Sequence, residues 1–443
     1  MRSLFFLIAL ETCLAQFPDL SGSFTFPLES DAIRYGVPAK RDPIAVLQKK
    51  LDAGQVQLSF DEKHGYLPAV LKALGVSQQT QMLVFSKTSF QFNRISPATP
   101  RALYFNDDVY VGWVQNGEVV EISAVDPERG AIFYSLDQRP SAKPRFERRD
   151  ECLQCHASPR TLGVPGHLVR SVYSDNEGFP QTQAGGFVTD HRSPFAERWG
   201  GWYVTGTHGE QRHLGNVVVE DKSHPDRLRV EAGANIIDLK GLVDASPYLT
   251  RHSDIVALMV LEHQTRMHNL FTRVSYETKV ALRSQTEMNK ALGRPAAEWS
   301  DSTKRRIYSP AEVLLRYLLF VEEPEFLSPV RGTSGLEHSF ASNGPRDSQG
   351  RSLRDMDLKR KTFRYPCSYL IYSEAFDAIP QPAKDYLLRR LWEVLTGKDN
   401  SPDFKSLRRE DRQAVLEILR ETKKGLPGFW YPAAAGIPLS STQ

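Results

Sequence analysis

The chain has 443 residues, 56 of them basic and 53 acidic, a net charge of +3, and four cysteines. The length allows two or three domains around a sizeable core, and the even charge balance argues against a nucleic-acid-binding protein. So few cysteines in so long a chain exclude a disulfide-stapled scaffold.

The N-terminus reads as a secretory signal over residues 1–15. Met1-Arg2 is a short positive start, Leu4 to Leu10 is an apolar run, and Cys13-Leu14-Ala15 offers small residues for cleavage before Gln16. A lipoprotein reading would need Cys13 in a lipobox, and the charge of Glu11 argues against it. No later apolar run approaches the roughly 20 residues of a membrane helix, so no transmembrane span is expected after the signal is removed.

Residues 16–75 read as helical or irregular. Pro43 to Leu51 has an amphipathic pattern opened by proline, and Leu67 to Leu74 suggests a second helix. Residues 76–248 read as β-rich. The period changes to two in Met82–Phe85, Ala102–Phe105, Val109–Val114, Val119–Ile122 and Ala131–Leu136, punctuated by Asn106-Asp107-Asp108 and Asn116-Gly117. Further strand-like runs cover Leu168–Tyr173, Gly201–Thr207 and Leu214–Glu220. From 249 to 443 the pattern is mainly helical. One long helix runs from Ser253 to about Leu292, and others cover Pro310–Glu322, Pro382–Thr396 and Arg409–Lys423, with Pro310 and Pro382 at first-turn positions. Residues 326–362 are rich in Gly, Ser, Asn and Arg and read as a long loop, either a lid or partly disordered. The fold class is α+β: an antiparallel β-rich middle followed by a helical C-terminal region.

The chemistry concentrates in Cys152-Leu153-Gln154-Cys155-His156. Cys-x-x-Cys-His is the attachment signature of haem c. Two thiols separated by two residues reach two vinyl groups on one porphyrin edge, and the following histidine can reach the iron. A zinc site would need a second ligand pair, and Cys13 and Cys367 do not supply one. A thioredoxin-like pair belongs where a strand meets a helix, which the arginine-rich segment before Cys152 does not resemble. Cys367 reads as a buried free thiol. Arg139, Lys143, Arg145, Arg148, Arg149, Arg160 and Arg170 cluster around the motif, either as partners of haem propionates and acidic proteins or as a solvated basic loop.

In these five residues the chain resembles the c-type cytochromes. With the segment Trp199 to Asn216 it is similar to a family of exported bacterial cytochromes, a likeness that brings no activity with it. The resemblance implies one covalent haem c on Cys152 and Cys155, His156 as the proximal iron ligand, and a periplasmic or otherwise exported location. It does not imply the small all-helical cytochrome fold, because the motif lies a third of the way along the chain.

The second axial position has four main candidates. His208 and His213 flank a glycine-rich loop that reads as a β-hairpin, with Trp199, Trp202 and Tyr203 available to wall a porphyrin. His263 and Met267 share the apolar stripe of the long helix, while His268 points to the opposite side. His167 is also reachable. The leading expectation is a mono-haem c-type cytochrome passing single electrons between periplasmic donor and acceptor proteins. One alternative is a haem c enzyme, peroxidase-like or a small-molecule oxidoreductase, with Tyr203, His208, Glu210, Arg212 and His213 as acid/base and charge-stabilising groups. Another is a haem-based sensor or binding module.

Overall fold

The computed structural model describes residues 25–38, 41–399 and 401–431; the expected signal over 1–15 lies outside them. The first helix, α1 (Pro43–Asp52), begins at Asp42, whose carboxylate accepts the N–H groups of Ile44 and Ala45. Helix α2 (Leu67–Leu74) stops at Gly75, which takes a left-handed φ of 66° that closes the last turn without a Cβ penalty.

Six strands follow as an antiparallel meander: β1 (Met82–Val84), β2 (Arg101–Phe105), β3 (Val109–Trp113), β4 (Val119–Asp126), β5 (Gly130–Asp137) and β6 (Phe146–Arg148). Their period of two sorts the side chains onto two faces. Tyr104, Val111, Trp113, Val120, Ile122 and Leu136 pack with Ile44, Leu47, Leu67 and Leu71 of α1 and α2. The other face is mixed. One row across it holds Gly112, Glu121 and Ser135, and the next holds Tyr110, Ser123 and Phe133.

The short helix α3 (Leu153–His156) comes directly after this sheet, and then the two-stranded unit of β7 (Val169–Val172) and β8 (Gly186–Thr189). The C-terminal region contains α4 (Ile255–Leu292), α5 (Asp301–Leu318), α6 (Leu336–Ser342), α7 (Glu374–Asp377), α8 (Gln381–Leu395) and α9 (Arg409–Thr422). The architecture is α+β, with the antiparallel sheet in the middle and the helices mainly C-terminal. The largest apolar cluster joins Met82, Phe105, Trp199 and Trp202 to residues of α4, α5, α8 and α9, so the two regions share one core. Among the described residues no helix is long and apolar enough to cross a membrane.

Several expectations need correction. Pro310 sits inside α5, not at its start. The helix begins earlier because Ser300 caps it, its side chain accepting from Thr303 N–H. Residues 201–220 form no regular strand; they meet their neighbours through single bridges such as Val84 with Trp202 and Thr207 with Arg331. The 326–362 stretch carries α6 and buries Val330, Leu336, Phe340 and Leu353 in the shared core, which makes it a packed segment rather than a lid. Strands β6 and β8, three and four residues long, are too short to show a period.

Helix α4 is anchored at its start by Asp254, which is fully buried. One carboxylate oxygen accepts from Val256 and Ala257, and the other from Thr333 and Ser334. Asp254→Ala strands four backbone donors, two of them buried and two part-buried. It is expected to cost about 3 kcal/mol, seen as a lower urea midpoint, with Asp254→Asn losing less.

Candidate cofactor-attachment site

The motif is delivered by β6. Beyond that strand, Arg149 N–H donates to Phe133 O of β5, and a tight turn at Asp150–Cys152 leads into α3. Cys152 and Cys155 are free thiols, the first half-buried and the second exposed. Burial, with Glu151 and Glu121 nearby, pushes the Cys152 thiol up to about 11, so it stays protonated at neutral pH.

His156 is held by two bonds to one residue. Its Nδ1–H donates to Gly166 O at 2.9 Å, and Gly166 N–H donates back to His156 O at 2.9 Å. A proton on Nδ1 leaves the Nε2 lone pair as the ring's ligating position, the arrangement that orients a metal-binding histidine. The ring also packs against Phe133 with centroids 4.7 Å apart. Burial lowers the His156 pKa, which favours the neutral imidazole that binds metal.

Gly166 and Asn269 were not singled out from sequence. A Cβ on Gly166 would come within 2.2 Å of Asn269 Oδ1. The bare backbone lets Asn269 of α4 bracket His167, accepting from its N–H at 2.9 Å and donating to its carbonyl at 2.6 Å. The Pro165-Gly166 pair was the available sequence signal. His167 itself is buried, with Nε2 paired to Ser123 Oγ at 2.7 Å and Nδ1 without a partner among the described residues.

Beside the cysteines, Arg101 and Glu121 form an ion pair at 2.5 Å. Both interact electrostatically with Cys152 and His156. The Arg101 guanidinium lies flat across Gly112, where a Cβ would stand 2.3 Å from its nitrogen. Glu121 also accepts from Gln91 Nε2 at 2.9 Å, and Arg149 Nε donates to Ser135 Oγ at 2.7 Å.

The other singled-out residues form two separate clusters. His208 and His213 do come together, with centroids 4.7 Å apart, but a tight turn joins them, not a hairpin. His208 donates from Nδ1 to Gln211 O and accepts at Nε2 from Asn235 N–H, so both nitrogens are used. His213 Nδ1 accepts from Gly215 N–H, while Nε2 is buried without a partner among the described residues. Arg212 pairs with Glu231 at 2.8 Å, and Glu210 is exposed. Tyr203 donates to Pro97 O within the α1–α2 core.

His263 shares a hydrogen bond between its Nδ1 and that of His191 at 2.8 Å, and its Nε2 meets Ser368 Oγ at 2.7 Å. Met267 is fully buried in the shared core. The stripe reading of α4 understated its burial, because the helix is enclosed on all sides from Ile255 to Tyr276. His268 on the other side is buried too, with Nε2–H donating to Asp107 O. Among the described residues no group of three or more His, Cys, Asp or Glu side chains is arranged to hold a metal ion unaided.

No family model matches the chain, and comparison with curated proteins and with solved structures finds no match either.

Burial holds His213 and His263 near pKa 3 and His268 near 4. Their unfolded values lie near 6.5, so the unfolded chain takes up protons first as the pH falls. Each group then removes up to about 1.4 kcal/mol of stability per pH unit below about 6.5. Glu262, raised to about 7, and Asp108, raised to about 6, act in the opposite sense as the pH falls through those values. The histidines outnumber them. The urea midpoint is expected to fall steadily from pH 7 to pH 5; a midpoint that rose would contradict this assignment.

Proposed function

We propose that the protein carries one haem c on Cys152 and Cys155, with His156 Nε2 as an axial iron ligand, and exchanges single electrons with exported partners. The observation that carries the reading is the bond from His156 Nδ1–H to Gly166 O, which leaves Nε2 as the ring's metal-binding atom. The cysteines fit the same group. Both are free and lie on one turn, Cys155 exposed and Cys152 half-buried. Each thiol can add across a vinyl group, its sulfur bonding one carbon and its proton going to the other. Bound haem would supply one-electron redox chemistry. The chain's own part is to orient the imidazole, pack Phe133 against it, and set charge beside it through Arg101 and Glu121.

A second reading is a haem enzyme with an exchangeable sixth position. It is favoured by the engagement of His208 and His263, whose ring nitrogens are all hydrogen-bonded, and by the burial of Met267 in the core. Their recruitment as a sixth ligand would require those contacts to break.

Protein exported from a host with a cytochrome c maturation system is expected to show a c-type absorption spectrum that survives acid-acetone extraction. The Cys152→Ala/Cys155→Ala variant should lose its haem to the solvent. His156→Ala should keep covalent haem but lose the wild-type axial-ligand spectrum. Carbon monoxide then separates the readings: an unreactive ferrous form supports electron transfer, and immediate binding supports the enzyme.

A further inference from the structure

Three large apolar side chains are exposed on segments linked to the neighbours of the motif. Phe90 is 65% exposed, Phe92 44% and Val188 36%. Solvating a phenylalanine to this extent forgoes burial worth about 1.5–3 kcal/mol when complete, so a group of such side chains around one feature marks a binding surface.

The contacts tie these side chains to the residues around the motif. Gln91, between Phe90 and Phe92, is fastened to β4. It donates to Glu121 Oε1 and Val119 O and accepts from the N–H groups of Glu118 and Val119. Glu121 is the partner of Arg101, and both interact with Cys152 and His156. The aromatic turn therefore sits at the sheet side of the motif. Val188 of β8 pairs directly with Arg170 of β7. Cross-strand partners project from the same face of a sheet, about 5 Å apart. Arg170 is half-buried and interacts electrostatically with Cys155 and Arg160. Among the described residues no carboxylate pairs with its guanidinium, and a second arginine nearby makes that charge more costly to hold there.

These observations define the chemistry of an occupant. It must be apolar and broad enough to meet Phe90 and Val188, it must carry an anion for Arg170, and it must reach Cys152 and Cys155. A porphyrin meets all three requirements, with a flat apolar ring, carboxylate-bearing propionates and vinyl groups.

We propose that Phe90 and Val188 are apolar walls of the haem crevice and that Arg170 pairs with a haem propionate. This rests on the haem c reading above and adds residues that the attachment motif does not contain. The walls exclude water from the porphyrin faces, and Arg170 neutralises an anion at a half-buried position. Loss of either is expected to favour the oxidised state, since both a wetter site and the removal of a nearby cation stabilise the higher charge on iron.

The test uses the exported holoprotein and the variants Phe90→Ala, Val188→Ala and Arg170→Gln. Pyridine haemochrome fixes the haem content, and thermal melting checks that each variant is folded. All three are expected to keep one covalent haem per chain. Phe90→Ala and Val188→Ala should speed the oxidation of the ferrous form by oxygen at least threefold. Arg170→Gln should shift the midpoint potential downward and weaken its dependence on ionic strength. Variants with full haem content whose oxidation rates and potentials match the wild type would overturn the crevice while leaving the haem c reading intact. A wild-type protein without covalent haem would overturn both.

Discussion

The arrangement of the site depends on the clasp between His156 and Gly166. Two hydrogen bonds, one from the ring and one to the backbone carbonyl, join a histidine on a four-residue helix to a glycine ten residues later. A helix that short has little stability of its own, so its geometry must come from outside. The clasp provides it, and Asn269 secures the clasp from α4 by pressing against the bare Cα of Gly166 and bracketing His167. Phe133 packs on the ring, and Arg149 N–H is tied to the Phe133 carbonyl. The motif is thus registered against the sheet and the central helix together. A side chain at position 166 would disturb the imidazole, the sheet contact and the α4 contact at once.

The interior around α4 is unusually polar for a core. Glu262, His263, Gln264, Asn269 and Arg273 are buried on a helix that also carries Ile255, Leu258 and Phe271. They are retained because each finds a partner. Arg198 meets Glu262 at 3.1 Å, Gln264 bridges Tyr110 and Tyr369, and Arg273 donates to Leu162 O. Breaking one such pair leaves a buried polar group unmatched, which costs more than the bond's net gain. The imidazoles of His167, His191, His263 and His268 are kept neutral by the same burial. This interior fixes the register of α4 against the sheet, and with it the position of Asn269.

The parts of the fold that were legible in the sequence are those governed by local rules. Alternation marked β1 to β5, and Leu67–Leu74 matched α2, because those strands and that helix have one clear apolar face. Cys152, Cys155 and His156 were legible as a covalent pattern that owes nothing to the fold. What was not legible depends on distant partners. Asn269 and Gly166 are 103 residues apart in the chain, and only the close approach of α4 gives either a role. The period of α4 suggested one apolar stripe, whereas the helix is enclosed on all sides and its polar residues are matched by loops no period predicts. His208 and His213 were paired for the wrong reason: a turn closed by Gln211 O brings them together, not two strands. Pro310 marked a helix start by its usual preference, but a capping serine ten residues earlier set the true one.

We propose that Cys152 and Cys155 hold a cofactor that His156 is shaped to ligate. The most direct test is the intact mass of the exported protein, with mapping of the peptide that contains residues 152–156. The expected result is a mass increased by one haem, located on that peptide, with Cys367 as the remaining free thiol. An unmodified mass, with Cys152 and Cys155 both titrating as free thiols in protein from a host competent for haem attachment, would contradict it.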